Sequence, residues 1–326
     1  MKIRAIRIAA PGGPEAMRLE TIELQEPAPG QARIRHAHVG VNFIDTYHRS
    51  GLYPLPMPSG IGVEAAGTVE AIGQGVSEVA VGDRVAYAGG PIGAYAEANN
   101  VPAARLVKVP AGVDLAVAAA VLLKGLTVQY LFRQTFRLEK GQTILFHAAA
   151  GGTGLLACQW ARHLGVTMIG TTSSQEKAAL AKANGCAHVI DYRREDVAKR
   201  VRELTGGRGV PVVYDGVGKD TFVASLDSLS PRGLLVSFGN ASGPVTGVDL
   251  GILSAKGSLY VTRPTLATYT ATTDALRAAA AELFDLVRRG VIQPEITRRF
   301  PLGDASAAHR ALQGRETTGA LLLEPA

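Results

Sequence analysis

The 326-residue chain contains only two cysteines, Cys158 and Cys186. Two cysteines cannot build a disulfide framework, so we expect both to be buried structural thiols in a cytoplasmic protein. The chain also lacks an apolar run of membrane-spanning length that is free of polar residues or glycine. The apolar run near the N-terminus is too short for a signal peptide and predicts a first strand instead.

Charge of one sign is not concentrated anywhere in the chain. The formal net charge is +6, from 34 Lys and Arg against 28 Asp and Glu. The basic residues gather only in short groups, at Arg193–Arg194, Lys199–Arg202 and Arg298–Arg299. Such groups favour a solvated surface, and nucleic acid is not an expected partner. A composition that is 47% apolar and 19% charged indicates a globular chain long enough for two domains.

Short strand patterns separated by glycine and proline dominate roughly the first 105 residues. Predicted strands lie at 3–8, 32–41, 81–89 and 93–99, with two more within 60–76. Asn42 precedes a predicted short helix at 43–48, and the prolines of 53–58 require a loop, because proline removes a donor and fixes φ. This pattern predicts a compact β-rich domain.

The segment TILFHAAAGGTG, residues 143–154, carries the strongest local signal. An apolar strand runs into Gly151, Gly152 and Gly154, and a helical pattern follows at once. Strand, glycine turn and helix form a cradle for a pyrophosphate, because the helix N-terminus presents free N–H groups and a partial positive charge. Ala148 stands where the usual fingerprint has its first glycine, so a turn that serves packing alone is the alternative.

Strand and helix patterns alternate beyond Gly141, after a predicted helix at 115–132 that is broken at Gly125. The predicted strands lie at 143–147, 167–171, 188–191, 210–215, 234–238 and 258–261. The predicted helices lie at 152–164, 175–184, 197–205, 221–229 and 273–289. The alternation predicts a doubly wound parallel sheet, and the tail, 296–323, reads as strand, helix and strand that return to the first domain. The fold class is therefore α/β, with the ligand expected outside the carboxyl ends of the parallel strands, in a cleft that faces the β-rich domain.

The end of the second parallel strand predicts the cofactor. A fold that binds NAD usually has Asp or Glu there to hold the ribose hydroxyls. This chain has Thr171-Thr172-Ser173-Ser174 instead, and Lys177 follows on the next helix. Hydroxyls and a cation suit a ribose phosphate, which an acid would repel, and Tyr192 is within the expected reach of the same place. We therefore predict NADPH, although a solvated helix face would also account for Lys177.

Two later strand ends carry loops with glycine, YDGVG at 214–218 and FGN at 238–240. Glycine lets the backbone approach a ligand closely, so these loops are expected beside the nicotinamide ribose and ring. Ordinary strand-ending turns are the alternative.

With these motifs in place, the chain resembles the zinc-independent quinone oxidoreductases of the medium-chain dehydrogenase/reductase superfamily, the zeta-crystallin-like group. The resemblance covers essentially the whole chain, and its most specific stretches are VNFIDTYHRSGLYP (41–54), LLKGLTVQYL (122–131), FHAAAGGTG (146–154), VVYDGVG (212–218) and SFGNASG (237–243). It implies a GroES-like catalytic domain at 1–124 completed by 265–326, and a Rossmann NADPH-binding domain at 125–264. It also implies a homodimer joined through the edges of the Rossmann sheets, for which the strand at 258–261 is the candidate edge.

The resemblance also implies a set of cofactor-binding residues. Asn42, Asp45 and Thr127 line the nicotinamide end. The pyrophosphate residues are Gly151, Gly152, Thr153 and Gly154, the 2′-phosphate residues are Ser173, Ser174, Lys177 and Tyr192, and the cleft is completed by Gly216, Val217, Phe238, Gly239, Asn240, Arg263, Pro264 and Thr265. Ser173 replaces a glycine that some relatives carry, and its side chain would narrow the space for the phosphate.

No metal is expected. The zinc-dependent alcohol dehydrogenases of the superfamily carry a G-H-E segment, which here is Gly62-Val63-Glu64, and valine cannot bind a metal. Their cysteine near 39–42 is absent, and two cysteines cannot make a four-cysteine structural site. Four histidines form no recognisable metal set by their spacing and are read as surface or hydrogen-bonded residues: His36, His38, His48 and His147.

The expected reaction is the reduction of a quinone. Without a Lewis acid, alcohol oxidation is not expected, because nothing would stabilise an alkoxide. An electron-poor quinone or conjugated carbonyl needs less assistance, since the protein mainly positions two rings. A hydrogen bond to the acceptor oxygen would stabilise the developing charge, and the candidate catalytic donors are Asn42, Tyr47 and Tyr53. Packing against the proline loop is the alternative role for each tyrosine.

Two other functions stay open. An NADPH-dependent enone or enal reductase of the same superfamily would use the same cofactor with a different acceptor. RNA binding or a structural, crystallin-like role is known among zeta-crystallin relatives, but this sequence shows no aromatic and basic platform for RNA.

Overall fold

The computed structural model describes residues 1–314 and 316–325, and it divides into two compact units. Unit 1 consists of Met1–Leu126 and Thr270–Ala326, and unit 2 of Thr127–Tyr269. The family resemblance predicts domain boundaries after residues 124 and 264.

The strands, in chain order, are β1 (Lys2–Ile8), β2 (Met17–Glu23), β3 (Gln31–Val41), β4 (Ser59–Gly60), β5 (Glu64–Ile72), β6 (Arg84–Ala88), β7 (Ala98–Pro102), β8 (Val107–Lys108), β9 (Thr143–Phe146), β10 (Thr167–Thr172), β11 (His188–Asp191), β12 (Val210–Asp215), β13 (Leu229–Ser237), β14 (Tyr260–Thr262), β15 (Ile296–Pro301) and β16 (Ala320–Glu324). The helices are α1 (Phe43–Ser50), α2 (Leu115–Tyr130), α3 (Gly152–Leu164), α4 (Gln175–Ala183), α5 (Val197–Leu204), α6 (Phe222–Ser228), α7 (Gly251–Ala255), α8 (Leu266–Tyr269), α9 (Thr273–Arg288) and α10 (Ala305–Gln313).

Unit 1 is the predicted β-rich domain. One sheet has the order β2-β1-β4, and a larger one has the order β15-β16-β3-β5-β6-β8, with β7 beside β3. The returning tail is confirmed, because β16 pairs antiparallel with β3 through Leu321 and Val41. Apolar residues of both sheets and of α10 form one buried cluster, which includes Ile34, Val85 and Leu323. Burial of such side chains stabilises the unit by about 25 cal/mol for each Å² of apolar surface removed from water.

Unit 2 is the predicted doubly wound sheet. Its strands are all parallel, in the order β11-β10-β9-β12-β13-β14. The strand order reverses between β9 and β12, and ligands of such sheets bind at that switch point, outside the carboxyl ends of the strands. The turn after β9 therefore occupies the position where a dinucleotide fold binds its ligand.

Two local predictions are wrong or shifted, and β2 was not predicted. The strand predicted at 93–99 lies at Ala98–Pro102 instead. The predicted break at Gly125 does not occur, since α2 runs through it without interruption. A Cβ at Gly125 would come within 2.5 Å of the Leu283 side chain, so this glycine allows close packing against α9 rather than ending the helix.

The helical run Leu115–Thr135 is long and apolar enough, by length and composition, to cross a membrane. Within it, 78% of the most apolar 18-residue window is buried in the protein. The core helix of a globular protein has the same properties, so the run gives only weak evidence for a membrane span.

Candidate active site

The turn between β9 and α3 has the geometry that the glycine motif predicts. Gly151 precedes the first residue of α3 in an extended conformation, and the helix begins at Gly152. Ala148, at the first glycine position of the usual fingerprint, adopts a left-handed φ of 56°. A Cβ at Gly154 would collide with the carbonyl oxygen of Ala148 and lie 2.7 Å from the carbonyl carbon of Ala149. The turn and the helix start can therefore pack this closely only with glycine at 154. The first turn of α3 has backbone N–H groups without intrahelical partners, and these can bind an anion.

A buried chain of hydrogen bonds joins the strand ends around this turn. Asp215 Oδ2 accepts from Ser225 Oγ at 2.8 Å, and Ser225 Oγ lies 3.0 Å from His147 Nε2. Since the serine proton goes to the carboxylate, His147 donates from Nε2. Its Nδ1 then accepts from Thr171 Oγ1 at 3.1 Å. His147 is thus a satisfied buried histidine, as expected, and burial lowers the pKa of its ring.

The two later loops pack on each other at the same edge of the sheet. Asp215 Oδ1 accepts from the N–H groups of Val217 at 2.8 Å and Gly218 at 3.0 Å. A Cβ at Gly216 would come within 2.9 Å of the Phe238 ring, so glycine lets this ring lie against the backbone. Arg263 donates from Nη1 to the carbonyl oxygens of Ser237 and Gly239, each at 2.9 Å. The structure therefore brings Gly216, Val217, Phe238, Gly239 and Arg263 together.

A cavity of about 250 Å³ lies at the ends of β10 and β11. Its lining includes the predicted phosphate residues Ser173 and Ser174. Ser174 is the N-cap of α4 and accepts from the Lys177 N–H at 3.3 Å. Two arginines that the sequence analysis did not assign, Arg193 and Arg194, also line it. The available signal was a pair of adjacent arginines that begins two residues after the end of the strand predicted at 188–191.

Two carboxylates also line the cavity beside α4. The lining includes Asp191 and Glu176. Asp191 accepts from the Arg193 N–H at 3.1 Å and lies 3.8 Å from Arg194 Nε, so its charge has partners. Of the predicted phosphate residues, Lys177 and Tyr192 are outside this lining, and Tyr192 is 40% exposed.

The remaining predicted residues of unit 2 occupy separate positions. Thr127 lies on α2, and Asn240 directly follows Gly239. Pro264 is buried, while Thr265 is exposed and its hydroxyl lies 3.1 Å from that of Thr268.

In unit 1, Asn42 is held at both its backbone and its side chain. Its N–H donates to Asp45 Oδ2 at 2.8 Å, which fixes the start of α1. Its side-chain Nδ2 donates to Glu64 Oε2 at 2.8 Å. A carboxylate can only accept here, so the amide nitrogen faces Glu64 and the amide oxygen faces away from it. Asn42 is thus a fixed group that is 5% exposed.

Asp45 is the end of a buried chain of hydrogen bonds that sequence reasoning missed. Tyr95 donates to Asp45 Oδ2 at 2.9 Å, and Tyr95 Oη lies 2.9 Å from His309 Nε2. Arg49 Nη1 lies 3.0 Å from the other ring nitrogen of His309. Because arginine only donates, His309 carries its proton on Nε2 and donates it to Tyr95. Asp45 and Arg49 both lie on α1, but Tyr95 and His309 come from distant parts of the sequence, so no local pattern could reveal the connection.

Burial shifts the pKa values of the residues in this hydrogen-bond network, and the shifts of Asp45 and His309 bear on stability near neutral pH. It raises the pKa of Asp45 to about 7, against the opposing effect of the hydrogen bonds from Asn42 and Tyr95. It lowers the pKa of His309 to about 3, and the nearby Arg49 adds to the effect. Asp45 Oδ1 has no hydrogen-bond partner among the described residues.

The two candidate tyrosines lie together. The rings of Tyr47 and Tyr53 are 5.3 Å apart in an edge-on arrangement, and the Tyr53 N–H donates to the Tyr47 carbonyl at 3.1 Å. Tyr47 is 8% exposed, and Tyr53 is half-buried beside the proline loop. Both the packing role and a role as donor are compatible with this arrangement.

The residues present do not fit zinc. Within residues 1–314 and 316–325, no three His, Cys, Asp or Glu side chains form a group that could hold a metal ion. Glu64 instead accepts from Asn42 and from the Leu123 N–H, and its Oε2 lies 3.3 Å from Lys124 Nζ. Val63, at the histidine position of the zinc enzymes, offers no donor atom.

Family models match both units. Residues 28–111 match the alcohol dehydrogenase GroES-like domain, and residues 152–284 match a family described as zinc-binding dehydrogenase. The chain is 59% identical over 323 residues to a quinone oxidoreductase of Pseudomonas aeruginosa, with 99% of each chain covered. A 2-haloacrylate reductase of a Burkholderia species is 45% identical over 333 residues, again with 99% of each chain covered.

A solved structure supports the same relationship. The crystal structure of the Escherichia coli quinone oxidoreductase complexed with NADPH matches with a TM-score of 0.98 at 49% identity. The match covers 99% of this chain and all of the other. Together with the parallel sheet, the glycine turn and the full-length identity, this shows that the chain belongs to the quinone oxidoreductase family of the medium-chain dehydrogenase/reductase superfamily.

Proposed function

We propose that this protein reduces quinones at the expense of NADPH without the help of a metal. The observation that carries the proposal is the full-length identity to named quinone oxidoreductases, one of which has a structure with NADPH. The donor set around Glu64 supports the metal-free part, because its oxygens already accept from protein donors.

The residues of unit 2 fit the cofactor. The start of α3 at Gly152 and Thr153 would hold the pyrophosphate through backbone N–H groups, in the cradle that glycine at 154 makes possible. Ser173 and Ser174, with Arg193 or Arg194, would hold the 2′-phosphate in the cavity beside α4. Charge-assisted bonds from arginine discriminate the phosphate from a hydroxyl, so NADPH is preferred over NADH.

When bound, NADPH supplies the hydride that reduces the acceptor. The residues of this chain then position the acceptor and stabilise the charge that develops on its oxygen. Asn42 has one N–H on Nδ2 bonded to Glu64 and a second one for a ligand. Tyr47 and Tyr53 are further donors, on the helix and the loop that follow Asn42.

An NADPH-dependent reductase of conjugated enones or enals is the second candidate. The observations that favour it are the 45% identity to a protein named 2-haloacrylate reductase and the match to a crystal structure of a 2-haloacrylate reductase with a TM-score of 0.87. Both reactions add a hydride to an electron-poor conjugated system, so the same residues would serve either one.

The proposal includes a homodimer joined along β14. This strand ends the parallel sheet and carries Tyr260 at 61% and Val261 at 42% exposure. Unpaired backbone groups with exposed apolar side chains favour the pairing of sheet edges. Sedimentation of the wild type and of a Val261→Lys variant tests this, with a dimer for the first and a monomer for the second as the expected result. We also place the protein in the cytoplasm, since Cys158 and Cys186 are free buried thiols.

Steady-state oxidation of NADPH and of NADH tests the function. The acceptors are a simple benzoquinone, a bulky polycyclic quinone and a linear enone, and a primary alcohol is tested with NADP. Rapid oxidation of NADPH with the quinones supports the proposal. Activity with the enone alone supports the second candidate. Tight NADPH binding without turnover of any acceptor would contradict both and favour a binding role.

A further inference from the structure

Lys124 is a buried cation that the functions assigned above do not use. It is the only charged residue within α2, and it is 6% exposed. Its ammonium lies 3.3 Å from Glu64 Oε2, and no other described residue accepts a hydrogen bond from it. An ammonium has three N–H donors, so two of them have no partner within residues 1–314 and 316–325. A buried cation with unused donors carries a desolvation cost, which a ligand that accepts hydrogen bonds from it would offset.

The fold makes room for this pair. A Cβ at Gly40 would collide with the Glu64 carboxylate and lie 2.5 Å from the Ala119 carbonyl oxygen. Glycine at this position of β3 therefore lets Glu64 lie against the strand. The carboxylate also receives the Leu123 N–H at 2.6 Å, which fixes Oε1 and leaves Oε2 to the two side-chain donors.

Those two donors are Lys124 and Asn42. Both nitrogens lie within hydrogen-bond distance of the same oxygen, Glu64 Oε2. The Lys124 ammonium is thus next to the amide that the proposed function places against the ligand. Three residues further along α2 is Thr127, which the sequence assigns to the nicotinamide end.

We propose that Lys124 is a catalytic residue whose ammonium contacts the oxygen of the acceptor and stabilises the negative charge that hydride addition creates there. Glu64 is the positioning residue that aims Lys124 and Asn42 at the same place. The inference rests on the proposed function and adds the electrophile that this function leaves unassigned.

The chemistry balances without a further reagent. The hydride forms a bond to the conjugated system of the acceptor, and the displaced π electron pair moves to the acceptor oxygen. Lys124 donates a hydrogen bond to that oxygen and keeps its proton, while solvent supplies the proton that completes the product. In zinc-dependent relatives a metal would polarise the oxygen, and here a point charge on a flexible stem takes that place.

A series of acceptors distinguishes this role from a structural one. An acceptor that is less electron-poor needs more stabilisation of the developing charge, so it depends more on the cation. Turnover of a simple benzoquinone, a trimethyl-substituted benzoquinone and a linear enone is measured at saturating NADPH. For Lys124→Met we expect a loss of about 100-fold with the enone and a clearly smaller loss with benzoquinone. The NADPH dissociation constant should change by less than about twofold, because Lys124 does not hold the phosphates.

Two further variants control the test. Lys124→Met leaves a buried carboxylate without its cation and is at risk of unfolding, so the double variant Lys124→Met/Glu64→Gln is made alongside it. Lys108→Met removes an exposed lysine that pairs with Asp83 at 2.8 Å, and it should leave all rates unchanged. A folded double variant that binds NADPH and loses activity in the graded order supports the proposal.

Two results would overturn the inference while the function stands. One is a double variant with the rates of the wild type, and the other is an equal loss for every acceptor, which indicates a structural role. If the wild-type protein does not oxidise NADPH with any of the acceptors, the proposed function itself is overturned, and this inference with it.

Discussion

The hydroxyl of Tyr95 donates to Oδ2 of Asp45 across 2.9 Å, in the interior of unit 1. The hydrogen bonds of this network are all donated in the same direction, from Arg49 to His309, from His309 to Tyr95, and from Tyr95 to Asp45. The carboxyl that receives them begins α1, the helix that follows Asn42. The stability of unit 1 and its response to pH should therefore depend on Asp45 and Arg49 of α1 together with Tyr95 and His309, which are distant from them in sequence.

Replacing Tyr95 with phenylalanine should destabilise the protein by about 1–3 kcal/mol. The change removes the donor to Asp45 and the acceptor of the His309 N–H, and it leaves both partners buried. Urea unfolding without cofactor measures the effect. Tyr192→Phe, on a ring that is 40% exposed, is the control and should change little. Equal stability of the two variants would show that the chain of bonds contributes nothing.

The pKa of Asp45, raised to about 7 by burial, predicts a specific pH dependence of stability. Between the unfolded pKa near 3.8 and about 7, the folded state holds a proton that the unfolded state releases. This contribution is fully present at low pH and is lost as the pH rises through 7. On going from pH 8 to pH 5, the free energy of unfolding of the wild type should rise by about 2.5 kcal/mol relative to that of Asp45→Asn. A difference that is constant with pH would contradict the shift.

Two histidines should act in the opposite direction. Burial lowers the pKa of His36 to about 4 and of His309 to about 3. Their unfolded forms take up protons below about pH 6.5, so stability that is present at neutral pH is lost as the pH falls. His36→Gln and His309→Gln should each reduce the decrease in the free energy of unfolding between pH 7 and pH 4.5 by about 2–3 kcal/mol. The exposed His163 provides the matched control, His163→Gln.

The cations near α4 should control the choice between NADPH and NADH. Lys177→Ala, Arg193→Ala and Arg194→Ala are compared for the dissociation constants of both cofactors. A variant that loses a bond to the 2′-phosphate should bind NADPH about tenfold more weakly and NADH equally well. Because Arg193 and Arg194 line the cavity and Lys177 does not, we expect the larger effect at the arginines. Arg298→Ala, on the exposed face of β15, should change neither constant.

The candidate donors should affect turnover more than cofactor binding. Asn42→Ala, Tyr47→Phe and Tyr53→Phe are expected to lower kcat with quinones, while NADPH affinity stays largely intact. A fall of about tenfold or more identifies a group that acts on the acceptor. Unchanged turnover in a variant removes that residue from the mechanism and leaves it a packing role, which the 5.3 Å contact between the two tyrosine rings would explain.

The sequence by itself determined the α/β class, the parallel sheet and the glycine turn, because these depend on local periodicity and on residues adjacent in the chain. It also indicated the family, through stretches such as residues 146–154. The sequence also contains Lys124 in the apolar helix α2, but it does not show that this lysine contacts Glu64.

Only the tertiary structure decided which distant side chains meet. Gly125 was predicted to break the helix. Only the structure shows that it allows close packing against Leu283, which lies more than 150 residues later in the sequence but adjacent in space. Asp45, Tyr95 and His309 form one chain because three separate elements pack together. Burial in the folded unit then shifts their pKa values. Tertiary packing likewise brings Lys124 and Asn42 to the same carboxylate oxygen of Glu64. Periodicity carries information along the chain, whereas charge partners and desolvation depend on contacts that a sequence without its fold does not specify.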